Sequence, residues 1–135
     1  MNSEELFGDM ISLYSRADAL QDGVLIQADP VLCQQAGIRF PVAVTDHLWA
    51  YIEPDNMHMM PGQSKTGRLW DLLWMFTLAA KRTTGSRDRI KFKVIFMILA
   101  ADHVRPHSET VTVIAVCGPG DEGEPVITLM LPEDD

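Results

Sequence analysis

Cysteine, long apolar runs and basic residues outside the middle of the sequence are all scarce in this chain of 135 residues. Its two cysteines, Cys33 and Cys117, cannot make a disulfide framework, and each lies among apolar neighbours, so we expect buried free thiols in a reducing cytosol. The longest apolar run, residues 94–101, has eight residues, whereas a membrane-spanning helix needs roughly 20. We therefore expect a soluble, cytoplasmic protein with no membrane partner.

Basic residues are rare at both ends of the chain. Residues 1–60 carry nine acids against Arg16 and Arg39, residues 61–105 carry nine bases against three acids, and residues 106–135 carry seven acids and no lysine or arginine. The net charge of −8 argues against binding of nucleic acid by the whole surface, because phosphates would be repelled. Four interpretations stay open: local binding by the basic middle, contact of the acidic protein with a basic partner, mutual neutralisation in the folded chain, and charges that only keep the protein soluble.

What is present is the composition of an ordinary globular domain, 47% hydrophobic and 22% charged. We expect a single domain over residues 1–135 with an α+β fold. Its N-terminal half predicts short helices and strands, with strands at residues 24–26 and 39–44. The helices of this half are predicted from three N-caps and two glycines suited to helix ends, namely Ser15, Asp29, Thr45, Gly23 and Gly37.

The second half begins with a loop and then predicts one long central helix. Two prolines and a glycine place the loop at residues 53–65, and apolar residues at helical spacing place the helix at about residues 66–83. Alternating apolar residues then predict a C-terminal three-stranded antiparallel meander. Its strands lie at residues 90–98, 109–117 and 126–131.

No constellation of residues names a reaction. The sequence has no G-x-S-x-G elbow, phosphate loop or dinucleotide fingerprint. Asp102-His103 and His107 have the spacing of a metal pair, but Pro106 disfavours the helix that such a pair needs. His58 lies among methionines, which could suggest a soft copper site. The pattern is more typical of a loop whose methionines cover the core. We predict no catalytic residue, no metal and no cofactor, with an enzyme as the less favoured interpretation.

The start of the long helix is the best candidate for a small-ligand site, because free N–H groups at a helix N-terminus attract anions. A cation and an indole ring nearby suit an anion or a base by charge and stacking. The alternative is an internal Arg68–Asp71 pair with Trp70 packed in the core. The residues predicted for this site are Gln63, Arg68, Trp70 and Asp71.

A cluster of bases at residues 81–93 is the best candidate for contact with a macromolecule, since it could follow a phosphate backbone. Its members are Lys81, Arg82, Arg87, Arg89, Lys91 and Lys93. The turn of the final hairpin holds a candidate acidic interaction surface of Asp121, Glu122 and Glu124. Neighbouring strands could bring the two groups together, so internal pairing is the alternative to two separate surfaces.

Four segments in order along the chain carry a family resemblance. They are YSRADALQDGVLI (14–26), AGIRFPVAVT (36–45), PGQSKTGRLWDLLWM (61–75) and GPGDEGEPVITLMLPEDD (118–135). Together they resemble an uncharacterised bacterial family, a domain of unknown function encoded mainly on plasmids, integrative elements and phages. The resemblance implies a genomic setting and assigns no catalytic residue.

We expect a non-enzymatic interaction protein of a mobile genetic element that binds a host or element protein complex. Inhibition of a bacterial defence system is one role that this setting suggests. One alternative is a small nucleic-acid-binding regulator that uses the 81–93 basic cluster. Another is a small-ligand-binding or enzymatic domain around Gln63, Arg68 and Asp71. The expected partner is a protein, local nucleic-acid contact is the alternative, and the oligomeric state stays open.

Overall fold

A computed structural model describes residues 14–85, 88–101 and 105–135. The fold is α+β, as predicted, and within those ranges it has four α-helices, five strands and two 3-10 helices. In chain order the elements are α1 (Arg16–Asp22), β1 (Leu25–Gln27), α2 (Pro30–Gln35), β2 (Val42–Thr45), α3 (Asp46–Ile52), a 3-10 helix (Met57–Met59), α4 (Lys65–Arg82), β3 (Arg89–Ile98), β4 (His107–Pro119), β5 (Pro125–Met130) and a 3-10 helix (Pro132–Asp134).

The five strands form one mixed sheet in the order β1-β2-β5-β4-β3, which leaves β1 and β3 at its edges. β3, β4 and β5 pair antiparallel in sequence, and β1 pairs antiparallel with β2. β5 also pairs parallel with β2. The prediction of a C-terminal three-stranded antiparallel meander was therefore too narrow, because this parallel pairing joins the N-terminal strands to the same sheet.

Short-range capping explains where the N-terminal helices begin. Each predicted N-cap side chain accepts a hydrogen bond from a backbone N–H in the first turn: Asp18 to Ser15 (3.0 Å), Val31 to Asp29 (2.9 Å) and Leu48 to Thr45 (3.4 Å). Gly23, with φ of 79°, ends α1 in the left-handed conformation that glycine adopts easily. These predictions are confirmed. They could be made from sequence because each cap depends on residues within about one helical turn.

β2 is shorter at its start than the predicted strand at residues 39–44. It begins at Val42, directly after Pro41. Proline has no backbone N–H to donate to a ladder, although the Pro41 carbonyl still accepts from the N–H of Ile127 at 2.9 Å. The residues before it form a loop, which matters for the groove described below.

α4 covers one face of the sheet and supplies much of the core. Its first turn is capped by Ser64, which accepts from the N–H of Gly67 at 3.0 Å. Phe76 of α4 lies 6.0 Å from Phe92 of β3, measured between ring centroids. The buried apolar residues of the helix lie on one stripe: Leu69, Leu72, Leu73 and Phe76. The opposite face of β3 is left exposed.

Arg68 lies inside the protein, with only 3% of its surface exposed. Its guanidinium donates to the carbonyl of Tyr51 at 2.8 Å and to the carbonyl of Met97. Tyr51 lies in the last turn of α3, where backbone carbonyls carry partial negative charge. Arg68 therefore joins α3, α4 and the end of β3 through main-chain acceptors.

The loop between α3 and α4 closes over this end of β3. Asn56 donates from Nδ2 to the carbonyl of Leu99 at 2.8 Å, and Met60 is 2% exposed. The segment between them forms the short helix Met57–Met59. The methionines of this loop differ in burial, since Met60 lies in the core and Met59 is exposed. Of the helices in the described residues, none is both long and apolar enough to span a bilayer.

Candidate interaction surfaces

An apolar groove with a volume of about 670 Å³ lies between the second half of α4, the loop of residues 37–40 and the β4–β5 hairpin. Phe76, Ile90 and Val126 are among its apolar walls. Arg39 and Lys81 also line it, and both side chains are exposed. None of the described residues in its lining is acidic. The groove therefore presents an apolar surface together with positive charge.

The loop that forms one wall is held by a glycine and a threonine. Gly37 has φ of 87°, which lets the chain reverse after α2. Thr77 of α4 is buried, and its hydroxyl donates to the carbonyl of Ala36 at 2.9 Å. These contacts leave Phe40 at the tip of the loop 47% exposed beside the groove. Sequence reasoning missed this site, because its walls come from three segments far apart in the chain.

Cys117 lines the groove, whereas Cys33 is buried behind the loop in α2. Both thiols are free, as predicted, but Cys117 is only partly buried. Burial raises the pKa of the Cys33 thiol to about 11, and it also raises the pKa of Cys117. A raised pKa keeps a thiol protonated and weakly nucleophilic near neutral pH. Neither cysteine has the environment of a catalytic nucleophile.

The predicted acidic surface lies in the turn of the same β4–β5 hairpin, on the side that meets α1. The Asp121 carboxylate accepts from the backbone N–H groups of Arg16 at 2.8 Å and Ala17 at 2.9 Å. These two hydrogen bonds lower the pKa of Asp121. Glu122 and Glu124 are exposed, and the N–H of Glu122 donates to the Glu124 carboxylate at 2.9 Å. Two of the three acids, Asp121 and Glu124, are thus engaged by main-chain donors.

The Arg16 side chain reinforces the same junction. It donates to the hydroxyl of Thr128 at 2.7 Å and to the carbonyl of Ile127 at 2.9 Å. The hairpin acids therefore lie beside α1 and Arg16. Within the described ranges, no salt bridge joins Asp121, Glu122 or Glu124 to a member of the basic cluster.

The basic cluster is spread over the end of α4 and the start of β3. Lys81 has its ammonium 5.9 Å from the ring centroid of Trp74, and Arg89 forms a salt bridge with Asp135. Lys91 and Lys93 are exposed, and no carboxylate in the described part of the chain forms a salt bridge with either. Arg82 is exposed at the end of α4, and Arg87 lies outside the described residues.

The residues predicted for a small-ligand site lie in different surroundings. Arg68 points inward to the two carbonyls described above, so it would have to leave them to meet an anion. The Trp70 ring lies 5.8 Å from that of Trp74 and nearly parallel to it, at 7°. Gln63 is half-buried and Asp71 is exposed. An anion site at these residues stays a prediction.

A histidine–aspartate pair lies where the C-terminal 3-10 helix meets β2 and α3. Nδ1 of His47 lies 2.6 Å from Asp134, whose other oxygen accepts from the Thr45 hydroxyl at 2.7 Å. The hydrogen bond to Asp134 raises the pKa of His47. Burial raises the pKa of Asp134, but hydrogen bonds from His47, Thr45 and the N–H of Leu131 outweigh it and lower that pKa overall.

This pair resembles the orienting half of a catalytic triad. In the described residues, however, no hydroxyl or thiol hydrogen-bonds to the second ring nitrogen of His47. The pair therefore anchors the C-terminal segment to the fold. Sequence reasoning missed it, because the two residues lie 87 positions apart.

No group of three or more metal-ligating side chains comes together in the described residues. His107, from the predicted metal pair, has its Nε2 3.1 Å from Glu109, while Asp102 and His103 lie outside the described ranges. A metal site at Asp102, His103 and His107 is therefore not used in the arguments on function below.

A family model matches residues 1–135, and its description is a family of unknown function, DUF6573. The chain belongs to this family. Membership agrees with the resemblance to an uncharacterised family that the four sequence segments carry. No curated protein and no solved structure matches the chain. The family assigns no activity, so function has to be argued from the surfaces themselves.

Proposed function

We propose that this member of the family is a non-enzymatic, cytoplasmic interaction protein of a mobile genetic element. In this proposal it binds a segment of a host or element protein in the groove beside α4, and inhibition of a bacterial defence complex is one outcome of that binding. The mobile-element setting rests on the family resemblance of the four sequence segments. The binding part rests on one observation, an apolar groove with Arg39 and Lys81 beside it.

The chemistry of the groove selects its occupant. Apolar walls favour aliphatic or aromatic side chains, since each Å² of apolar surface removed from water contributes about 25 cal/mol. Arg39 and Lys81 favour a carboxylate, and none of the lining residues that the structure describes is an acid that would neutralise them. The volume of about 670 Å³ lies within the range of ordinary ligand sites and suits a few side chains of a peptide. The occupant is therefore a short apolar segment that carries Asp or Glu.

Selection of peptides from a random library tests this proposal. Peptides of about a dozen residues selected on the purified protein should be rich in apolar residues and carry Asp or Glu. Their affinity, measured by fluorescence anisotropy, should fall at least tenfold in Ala80→Phe, which fills the groove from α4. Lys81→Glu should weaken binding by several-fold through charge, and Arg39→Glu should do the same.

Lys65→Glu is the matched control, since it reverses an exposed charge in the first turn of α4, outside the groove lining. Its affinity for the selected peptides should stay within about twofold of the parent protein. Selected peptides without acidic residues, or binding that survives Ala80→Phe, would contradict the proposal. Displacement of the peptides by a medium-chain fatty acid at micromolar concentration would instead support a small-ligand domain and also count against it.

A further inference from the structure

The direction of the backbone groups in β3 follows from its first pairing with β4. The N–H of Cys117 donates to the carbonyl of Asp88 at 2.7 Å, so this pair is hydrogen-bonded. Hydrogen-bonded and non-hydrogen-bonded positions alternate along an antiparallel pair. Even-numbered residues of β3 therefore direct their N–H and C=O groups toward β4. Odd-numbered residues direct theirs toward the outer edge of the sheet.

Among the described residues, contacts to this outer edge lie at one end of β3. The carbonyls of Met97 and Leu99 accept from Arg68 and Asn56, as expected for odd-numbered positions. Farther up the strand, at residues 91–95, no strand of the described ranges lies beside β3 on this side. Three consecutive outward-facing positions therefore keep main-chain groups available for pairing, as judged from the described residues: Lys91, Lys93 and Ile95.

Side chains around this open stretch differ on its two faces. On the face away from α4, Lys91 and Lys93 are exposed without a salt bridge to any described residue, and Ile95 is 64% exposed. On the α4 face, a groove of about 360 Å³ runs beside the strand. Met75 and Leu78 are among its apolar lining residues. A strand added here would meet positive charge on one face and, on the other, apolar side chains with Arg82 beside them.

Charge disfavours a second copy of this chain in the registers that centre on the two lysines. Antiparallel pairing of two β3 edges about a two-fold axis at residue 91, 92 or 93 places a lysine directly opposite a lysine of the other copy, whereas an axis at residue 94 places Lys93 opposite Ile95. Like charges directly opposite each other on a sheet are destabilising. A strand with carboxylates at those positions would be stabilised instead. The charge of the edge therefore favours a different, acidic chain.

From these observations we infer that the outer edge of β3 binds an extended segment of a partner protein as a sixth strand. The segment alternates acidic residues, which face Lys91 and Lys93, with apolar residues, which face Met75 and Leu78. Main-chain hydrogen bonds supply affinity and the alternating side chains supply specificity. The inference rests on the proposed function in one respect, that the chain acts by binding proteins, but it uses a surface separate from the first groove.

Amide hydrogen exchange tests the inference residue by residue. In the free protein, the N–H groups of Lys91, Lys93 and Ile95 should exchange fast, while those of Phe92 and Val94, already bonded to β4, should exchange slowly. A synthetic peptide of about ten residues that alternates Glu with Val should slow exchange at the three odd-numbered positions by at least tenfold. A peptide with Lys in place of Glu should produce no such protection.

Two variants of Ile95 separate backbone pairing from charge attraction. Ile95→Pro removes one outward N–H without removing a hydrogen bond to β4, and it should weaken binding of the Glu–Val peptide at least tenfold. Ile95→Thr keeps the N–H and should bind within about threefold of the parent protein. If Ile95→Pro alters the fold, protection of the Lys91, Lys93 and Ile95 amides in the parent protein decides on backbone pairing, and the Lys91→Glu/Lys93→Glu double variant, which should lose at least tenfold, tests the charge contribution.

Several outcomes would overturn the inference. Lysines on edge strands also prevent aggregation. If the Glu–Val peptide does not protect the odd-numbered amides from exchange, prevention of aggregation would be the role of Lys91 and Lys93. Tighter binding of single-stranded DNA, without protection of the odd-numbered amides, would favour nucleic-acid contact instead. Concentration-dependent dimerisation abolished by Ile95→Pro would favour a second copy. Ala80→Phe should leave edge protection unchanged, so failure of the groove proposal and failure of this one are distinguishable.

Discussion

The turn of the β4–β5 hairpin and the outer edge of β3 both carry charged side chains, and they differ in what those charges contact. Asp121 of the hairpin accepts two backbone N–H groups of α1. Lys91 and Lys93 of the edge contact no carboxylate in the described part of the chain that would neutralise them. A charge engaged by the protein's own main chain contributes to stability, whereas an unpaired charge is available to another molecule. Substitutions should therefore change stability at the hairpin and binding at the edge.

Arg68→Met should have the largest effect, because it removes a buried charge that donates to two main-chain carbonyls. Methionine fills a similar volume but leaves the carbonyls of Tyr51 and Met97 without their donor. Each buried acceptor left unsatisfied costs about 1–3 kcal/mol, so we expect the free energy of unfolding to fall by about 3 kcal/mol. Urea denaturation of the variant and of the parent protein measures this change in the free energy of unfolding.

Lys65→Met is the matched control on the same helix, since Lys65 is exposed in the first turn of α4. It should change the free energy of unfolding by less than about 0.5 kcal/mol. A loss below about 1 kcal/mol in Arg68→Met would show that water or a rearranged side chain satisfies the two carbonyls, and that Arg68 does not join α3, α4 and β3 as described.

Asp121→Ala tests the hairpin side of the comparison with a smaller effect. It removes the acceptor for the N–H groups of Arg16 and Ala17, so the melting temperature should fall below that of the parent protein. Glu122→Ala, on the same turn, should leave it nearly unchanged. The lowered pKa of Asp121 sets the pH dependence of this difference. Its contribution is present above the unfolded-state pKa of about 3.9 and is lost as pH falls through the lower folded-state pKa.

Equal melting temperatures for Asp121→Ala and Glu122→Ala at neutral pH would show that the hydrogen bonds of Asp121 to α1 do not stabilise the fold. Peptide binding to the β3 edge should be the same in both, because neither acid lies at that edge. Thermal unfolding followed by circular dichroism and the amide-exchange assay above give the two readouts on one set of samples.

Local features of this fold could be predicted from sequence, and long-range ones could not. The caps at Ser15 and Thr45 were predicted correctly because capping is decided within about one turn of helix. The alternation of apolar residues with Lys91 and Lys93 placed these lysines correctly on the first strand after α4, and the charge blocks identified them as part of a basic cluster. The charge blocks did not predict what Asp121 contacts, because its donors are backbone N–H groups, which every residue except proline carries. No local pattern encodes a main-chain partner.

The β2–β5 pairing and the apolar groove show the same limit on a larger scale. The periodicity of each strand predicted that it exists, but not which strands become neighbours. The groove depends on that choice, since its walls include Phe40, Phe76 and Val126 from three distant segments. Only the assembled sheet brings them together.

His47 provides a charge whose contribution can be switched by pH, and its substitution should have the smallest effect of the three. Because the Asp134 carboxylate raises the pKa of His47, protonated His47 stabilises the folded state. This contribution is fully present below the unfolded-state pKa of about 6.5 and is lost as pH rises through the higher folded-state pKa. At the acid end it is lost as Asp134 becomes protonated below its own lowered pKa.

The difference in melting temperature between the parent protein and His47→Gln should therefore be largest near pH 6 and shrink toward about pH 9. Thr45→Val is the control, because it removes another hydrogen bond to Asp134 without removing a titratable group. Its deficit should stay constant over that range. NMR titration of the His47 ring should show the raised pKa directly, and Asp134→Asn should lower it. A His47→Gln deficit that does not change with pH would mean that the histidine acts as a neutral hydrogen-bond donor, which would place it with Thr45 as an uncharged anchor of the C-terminal segment.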